Sequence, residues 1–274
     1  MVEKSTPEIF FHVGLGKTAT TYLQYRFFPK LKGICYIQRT RYRTSPAIIK
    51  RGKCNSYLVS REFDNQLERE VTFFASHFPD AKAIIVLRRH DSWIASQYRR
   101  FVKNGFTGSF DEFFDAEGAV FKREDLLFYR KIKVLEAHFS RPPMVLFYED
   151  LREDPYAFFD KIAETVGATY RRSDIDLDKK HSSYNRKQLK AIQRVSRTID
   201  IEKRDLDNWL LHKLRLLYIS AIRYSVLYLA PLLPAAAFDD SPLIPPEKLS
   251  QIREQYTDDW QKCQAFARQI AGTD

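Results

Sequence analysis

The chain has 274 residues, 44% of them hydrophobic and 29% charged, and its 45 Lys and Arg against 35 Asp and Glu leave a net charge of +10. That composition can build a sizeable core and excludes a disordered chain, while nine Gly and twelve Pro exclude collagen-like and low-complexity classes. The positive excess points to anionic partners without choosing among nucleotide, nucleic acid, membrane surface and acidic glycan.

Glu8 to Val13 (EIFFHV) is a short apolar run between Pro7 and Gly14 and reads as a buried strand. The pattern turns helical from Thr18 to Phe28 and stops at Pro29. Gly33 to Ile37 reads as a second strand, and Gln38 to Asn55, with six Arg and Lys and no acid, as a loop. Tyr57 to Ser60 is strand-like and Asn65 to Phe78 helical. Ala83 to Leu87 (AIIVL) is apolar at every position, as a parallel strand covered on both faces requires. A helix over Ser92 to Lys103, a long amphipathic helix over Glu124 to Phe139, a strand over Met144 to Tyr148 and a helix over Pro155 to Val166 follow. Beyond Tyr170 the chain reads as helical or irregular. Strands alternating with helices predict an α/β fold around a central parallel sheet flanked by helices. With no repeat and no linker, a single domain over residues 1–274 is expected: an α/β core over Glu8 to Tyr170, then a mostly helical part over Arg171 to Asp274.

Cys35, Cys54 and Cys263 are odd in number and widely spaced, so neither a disulfide framework nor a zinc ribbon is expected, and a reducing cytoplasm is the simplest compartment. No secretory segment is expected at the N-terminus. The longest near-apolar stretch, from Arg223 to Phe238, is interrupted by Pro231 and Pro234 and falls short of the roughly 18 residues a spanning helix needs. The six His (12, 77, 90, 138, 181 and 212) are scattered without metal-ligand spacing, so no metal is expected.

Two strand exits carry chemistry. After the first strand comes GLGKTATTYLQ, Gly14 to Gln24. A glycine turn opening a helix offers unpaired backbone N–H groups and a positive dipole end to a phosphate; Lys17 adds a point charge, and Thr18, Thr20 and Thr21 add hydroxyls. Gly16, Lys17 and Thr18 match the end of the Walker motif, G-x-x-x-x-G-K-[ST], but its first glycine would fall at Phe11, making the loop about two residues short for a triphosphate. After the central strand comes VLRRHDSWIASQYRRF, with Arg88 at the strand end and Ser96 eight residues later. An arginine and a hydroxyl converging there suit a second phosphate, although the Arg89, Arg99, Arg100 and Lys103 cluster also fits a solvated basic surface.

Together these segments resemble the cofactor signature of the sulfotransferases, whose donor is 3′-phosphoadenosine 5′-phosphosulfate (PAPS). GLGKTATTYLQ is similar to the 5′-phosphosulfate loop, G-x-x-K-[ST]-G-T-T-x-L, and LRRHDSWIASQY to the 3′-phosphate motif, with Arg88, Ser96 and Tyr98 in register. VLFYEDLREDP and LSQIREQYTDDWQK resemble further family segments. Ala19 departs from the usual loop glycine, Arg89 and His90 from the usual Asn/Asp-Pro pair, and HSSYNRK, His181 to Lys187, stands in for an Arg-Lys-Gly block, as in the bacterial and carbohydrate-type branches. Ala19 is compatible with a helix that has already begun there.

The resemblance implies a P-loop nucleotide-kinase-like sulfotransferase fold with a helical C-terminal part, and PAPS as co-substrate with 3′,5′-ADP as product. It implies that Gly14, Leu15, Gly16, Lys17, Thr18, Ala19, Thr20 and Thr21 hold the 5′-phosphosulfate, with Lys17 on the bridging oxygen. Arg88, Ser96, Ser183, Tyr184 and Arg186 would hold the 3′-phosphate. For the general base, Glu62 in LVSREFDN comes first, or else serves as a first-turn acid on the next helix; His12 comes second, or else packs under the sheet, and His90 and His181 follow. The expected acceptor is a hydroxyl of a carbohydrate or glycolipid, anionic or lipid-linked glycans included. A P-loop kinase, or a basic module for anionic membrane or nucleic acid, are the alternatives; no nucleic-acid-reading motif is present.

Between Leu206 and Leu229, apolar residues recur at Leu206, Leu210, Leu214, Leu217 and Ala221, while Arg204, Asn208, His212, Arg215 and Arg223 line another face. Such a helix could lie on the inner face of a membrane, pack on its own domain, or meet a second chain.

Overall fold

A computed structural model describes residues 6–63, 66–114, 120–177, 184–202, 205–234 and 241–272. Its chain forms two compact units: the first is Met1–His90, Asp125–Asp178 and Gln255–Asp274, the second Asp91–Glu124 and Lys179–Glu254. The strands are β1 (Glu8–Gly14), β2 (Cys35–Ile37), β3 (Ser56–Glu62), β4 (Lys82–Leu87) and β5 (Met144–Phe147). The helices are α1 (Thr20–Tyr22), α2 (Ser45–Lys50), α3 (Leu67–Ala75), α4 (His90–Lys103), α5 (Phe110–Phe113), α6 (Phe128–His138), α7 (Tyr148–Glu153), α8 (Pro155–Thr165), α9 (Arg186–Ser196), α10 (Trp209–Leu229), α11 (Pro246–Gln255) and α12 (Thr257–Ala271).

The first unit holds one sheet of order β2-β3-β1-β4-β5. Every pairing is parallel, so all five strands end along the same edge. Alternation along β1 divides the core. Phe10 joins Leu23, Phe27, Phe28, Ile84, Val86, Phe158 and Phe159 on one face. Phe11 stacks on Phe74 at 4.0 Å on the other, with Tyr42 beside it. The last helix completes this unit: Asp259 on α12 accepts the Phe128 N–H at 2.9 Å and so satisfies the first turn of α6, whose opening amides have no intrahelical acceptor.

Three local readings need correction. The segment after the first loop is not helical from Thr18; α1 begins at Thr20, passes into a π-helical turn over Leu23–Phe27 and ends in a 3₁₀ turn over Phe28–Lys30, with Pro29 inside it. Gln38 to Asn55 is not a loop: a 3₁₀ turn over Arg39–Thr44 leads into α2, because buried Tyr42 anchors the turn and Pro46 sits in the first turn of α2 without needing an N–H partner. Cys35 and Cys54 are paired, their Cα atoms 6.2 Å apart, closing the basic segment at both ends. Disulfides persist in oxidising surroundings, so cysteine usage no longer argues for a reducing compartment.

In the second unit, Tyr98 of α4 is buried among Phe106, Phe110 and Phe113. α9 and α10 pack together; Gln188 donates to the Leu227 carbonyl at 2.8 Å. α10 faces the opposite way from a helix packing its apolar stripe on its own domain. Ile219, Leu227 and Arg223 are buried, the Arg223 guanidinium donating to the Ile201 carbonyl at 3.2 Å, while Leu210, Leu214 and Leu217 are exposed. Among the described residues no helix is long and apolar enough to cross a membrane.

Candidate active site

The strand edge of the first unit gathers most of the residues singled out above. Gly14 ends β1 against the side chain of Thr20: a Cβ there would lie 2.4 Å from Thr20 Cγ2, so only glycine fits without moving it. The chain then doubles back through two left-handed residues, Lys17 at φ 69° and Ala19 at φ 63°. The Ala19 reading is thereby corrected. Ala19 precedes the helix in the conformation that favours glycine, which accounts physically for a glycine at this place in the resembling motif.

Thr18 and Thr20 are both buried, and each hydroxyl donates to the Leu15 carbonyl at 2.8 Å. A hydroxyl has one proton to give, and both of these give it to the loop itself, bracing it from within. Thr21 is exposed, and Lys17 is half-buried at the loop's turn.

Arg88 leaves β4 next to this loop, since β4 pairs directly with β1. Its guanidinium donates to the Lys17 carbonyl at 3.2 Å and lies over the Tyr148 ring at 4.5 Å, at the exit of β5. The neighbouring Arg89 N–H donates to the Glu149 carboxylate at 3.1 Å, holding the two strand exits together. Neither Tyr148 nor Glu149 is a site residue expected from the sequence; their signals there are the end of the MVLFY strand and the VLFYEDLREDP resemblance.

Glu62 is the last residue of β3 and lies opposite Gly14 in the β1–β3 register, half-buried. It is a strand-end carboxylate, not a first-turn acid of the next helix. The Phe63 N–H donates to the Gly14 carbonyl at 2.8 Å, fixing this carboxylate's backbone against the loop. Beside it, Arg61 donates to the Arg39 carbonyl at 3.1 Å and Arg39 lies over the Tyr25 ring. The basic 39–44 turn is thus tied to the same strand end.

His12 is corrected as a base. It is fully buried, its Nδ1 sits 2.8 Å from Ser60 Oγ, Gln24 donates to the same oxygen at 3.0 Å, and its ring meets Phe28 edge-on. Burial pushes its pKa down to about 3, so it stays neutral and away from any acceptor. His90 is structural as well: it is buried between Phe128 and Tyr256, its Nε2 3.0 Å from the Asp259 carboxylate. Ser96 is half-buried on α4, Arg186 opens α9, and Lys103 lies over the Tyr184 ring at 5.1 Å, all within the second unit. Ser183 and His181 lie outside the described residues.

No protein-family model and no curated protein matches this chain. Among solved structures, a sulfotransferase from Alicyclobacillus acidocaldarius aligns over 82% of this chain and 100% of its own, with 15% identity and a TM-score of 0.51. A mouse sulfotransferase complexed with PAP aligns over 69% of this chain and 63% of its own, with 14% identity and a TM-score of 0.39. A sulfotransferase domain from the curacin biosynthetic pathway covers 92% of this chain and 98% of its own at 11% identity and a TM-score of 0.37. The two lower scores add nothing to the first. With five parallel strands ending on one edge and a tight loop at the first exit, the chain has the α/β fold of the sulfotransferases.

Proposed function

We propose that this chain moves the sulfuryl group of PAPS to a hydroxyl of an acceptor, a carbohydrate or glycolipid, by direct in-line transfer. The observation that carries the reading is the meeting of Arg88 and Lys17 at adjacent strand exits, with a carboxylate, Glu62, closing the other side of the same loop.

The residues suit a phosphosulfate. Thr18 and Thr20 are satisfied within the loop, Lys17 stands half-buried at its turn, and no Cβ at Gly14 crowds it. Lys17 stabilises negative charge on the bridging oxygen as the S–O bond breaks. Arg88 supplies the planar guanidinium that binds phosphate oxygens in a fork and so selects a 3′-phosphorylated nucleotide. The acceptor oxygen bonds to sulfur as its proton passes to Glu62, and 3′,5′-ADP leaves with the electron pair of the broken bond. The basic 39–44 turn beside Glu62 favours an acceptor carrying negative charge.

Calorimetry tests this reading. 3′,5′-ADP should bind in magnesium-free buffer, Arg88→Ala should weaken it at least tenfold, and Lys17→Ala should abolish transfer from PAPS. Heat from Mg-ATP with none from 3′,5′-ADP would replace it with a kinase.

A further inference from the structure

We infer that the outward face of α10 is the contact through which two copies of this chain pair, antiparallel, helix against helix. Leu210, Leu214, Leu217, Ala221, Tyr224 and Tyr228 follow one another at alternating steps of four and three residues, and all six are exposed. That spacing is the seam of two packed helices, in which each side chain enters a hole on the facing helix. A helix whose stripe served its own fold would bury it; here the opposite face, through Ile219, Arg223 and Leu227, does that work.

The bare area is large. At roughly 200 Å² per aromatic side chain, Tyr218, Tyr224 and Tyr228, exposed by 54%, 44% and 69%, present about 330 Å² between them. The leucines add to this, taking the face beyond the few hundred Å² a monomer leaves uncovered and toward the ~800 Å² per partner of a standard interface.

Charge selects the occupant and the direction. A helix lying on an anionic bilayer carries a Lys- and Arg-rich rim. The exposed face of α10 carries Lys213 alone, and Asp205 and Asp207 stand exposed just before it. In a parallel pair Lys213 would meet its own copy. In an antiparallel pair centred midway between Leu210 and Tyr228 the two lysines stand ~18 Å apart, at 1.5 Å per residue, beyond the ~10 Å screening length of ordinary buffer. The helix dipoles are then opposed as well.

Sedimentation velocity on the full chain at micromolar concentration, with and without vesicles of phosphatidylcholine and phosphatidylglycerol, tests the proposal. The expected result is twice the chain mass without vesicles, and a monomer with unchanged thermal melting for Leu217→Asp and for Tyr228→Glu. Both positions are exposed, so neither substitution disturbs a core. A monomeric parent chain overturns the proposal, whether or not it sediments with vesicles, and so does a dimer that survives both substitutions.

Discussion

Acidification should destabilise this protein through the histidine beneath its first loop. His12 is fully buried, and burial holds its pKa to about 3 against 6.5 in an unfolded chain. Above pH 6.5 both states are neutral at this site and it contributes no pH dependence. Below it, the unfolded chain takes up a proton that the folded one refuses, so stability rises with pH, and falls on acidification by ~1.4 kcal/mol per unit until the folded group titrates as well. From well above pH 6.5 down to about pH 4.5 the loss from this one group is therefore ~2.7 kcal/mol. Urea unfolding followed by circular dichroism, on the parent chain and on His12→Asn, isolates it. The variant is less stable at every pH because the Ser60 contact changes, but its stability should fall less steeply, by ~1.4 kcal/mol per unit. Identical slopes for the two chains would mean that His12 is protonated within the fold, and the account of its environment would be wrong.

Gly14→Ala places a Cβ 2.4 Å from Thr20 Cγ2, forcing that side chain off the Leu15 carbonyl. It should cost ~1–3 kcal/mol in a melt and at least tenfold in 3′,5′-ADP affinity by calorimetry. Ala19→Gly should act in the unusual direction: glycine frees the unfolded chain at a cost of ~0.4–1 kcal/mol, but at φ 63° the strain it relieves exceeds that, and a gain of ~0.5 kcal/mol in urea unfolding is expected. Replacing Cys35 and Cys54 by Ser opens a closed loop with a separation of 19 residues and should cost ~3 kcal/mol. A reductant should lower the parent chain's stability by the same amount and leave the variant unmoved.

What could be read before the structure was whatever a short stretch of chain decides by itself. β1 and β4 are buried on both faces, so EIFFHV and AIIVL announce themselves as unbroken apolar runs. The positions of Gly14, Lys17 and Arg88 at strand exits were legible because a glycine turn follows one apolar run and an arginine follows the other. The rest depended on contacts distant in sequence. The basic segment looked like a loop because nothing local shows that Tyr42 fits against Phe11 and Phe74 from other elements. The disulfide has no local signature. That Thr18 and Thr20 donate to the Leu15 carbonyl was not legible, because that contact is reached only after the backbone turns left-handed at Lys17 and Ala19. For α10 the helix was legible and its orientation was not: apolar residues lie on both sides, and the choice falls to Ile219 and Leu227 and to an arginine that finds a carbonyl at Ile201.

Asp259 sits near the end of the chain yet caps a helix that starts at Phe128. α12 therefore supplies a part that the first unit needs and that is synthesised after all five strands. A ribosome releasing this chain residue by residue has the whole sheet made long before the cap arrives, and the nascent unit must wait, its first α6 amides without this acceptor, until α12 has emerged. Deleting that one helix would leave the sheet's own unit without its finishing piece, however intact the strands look on paper.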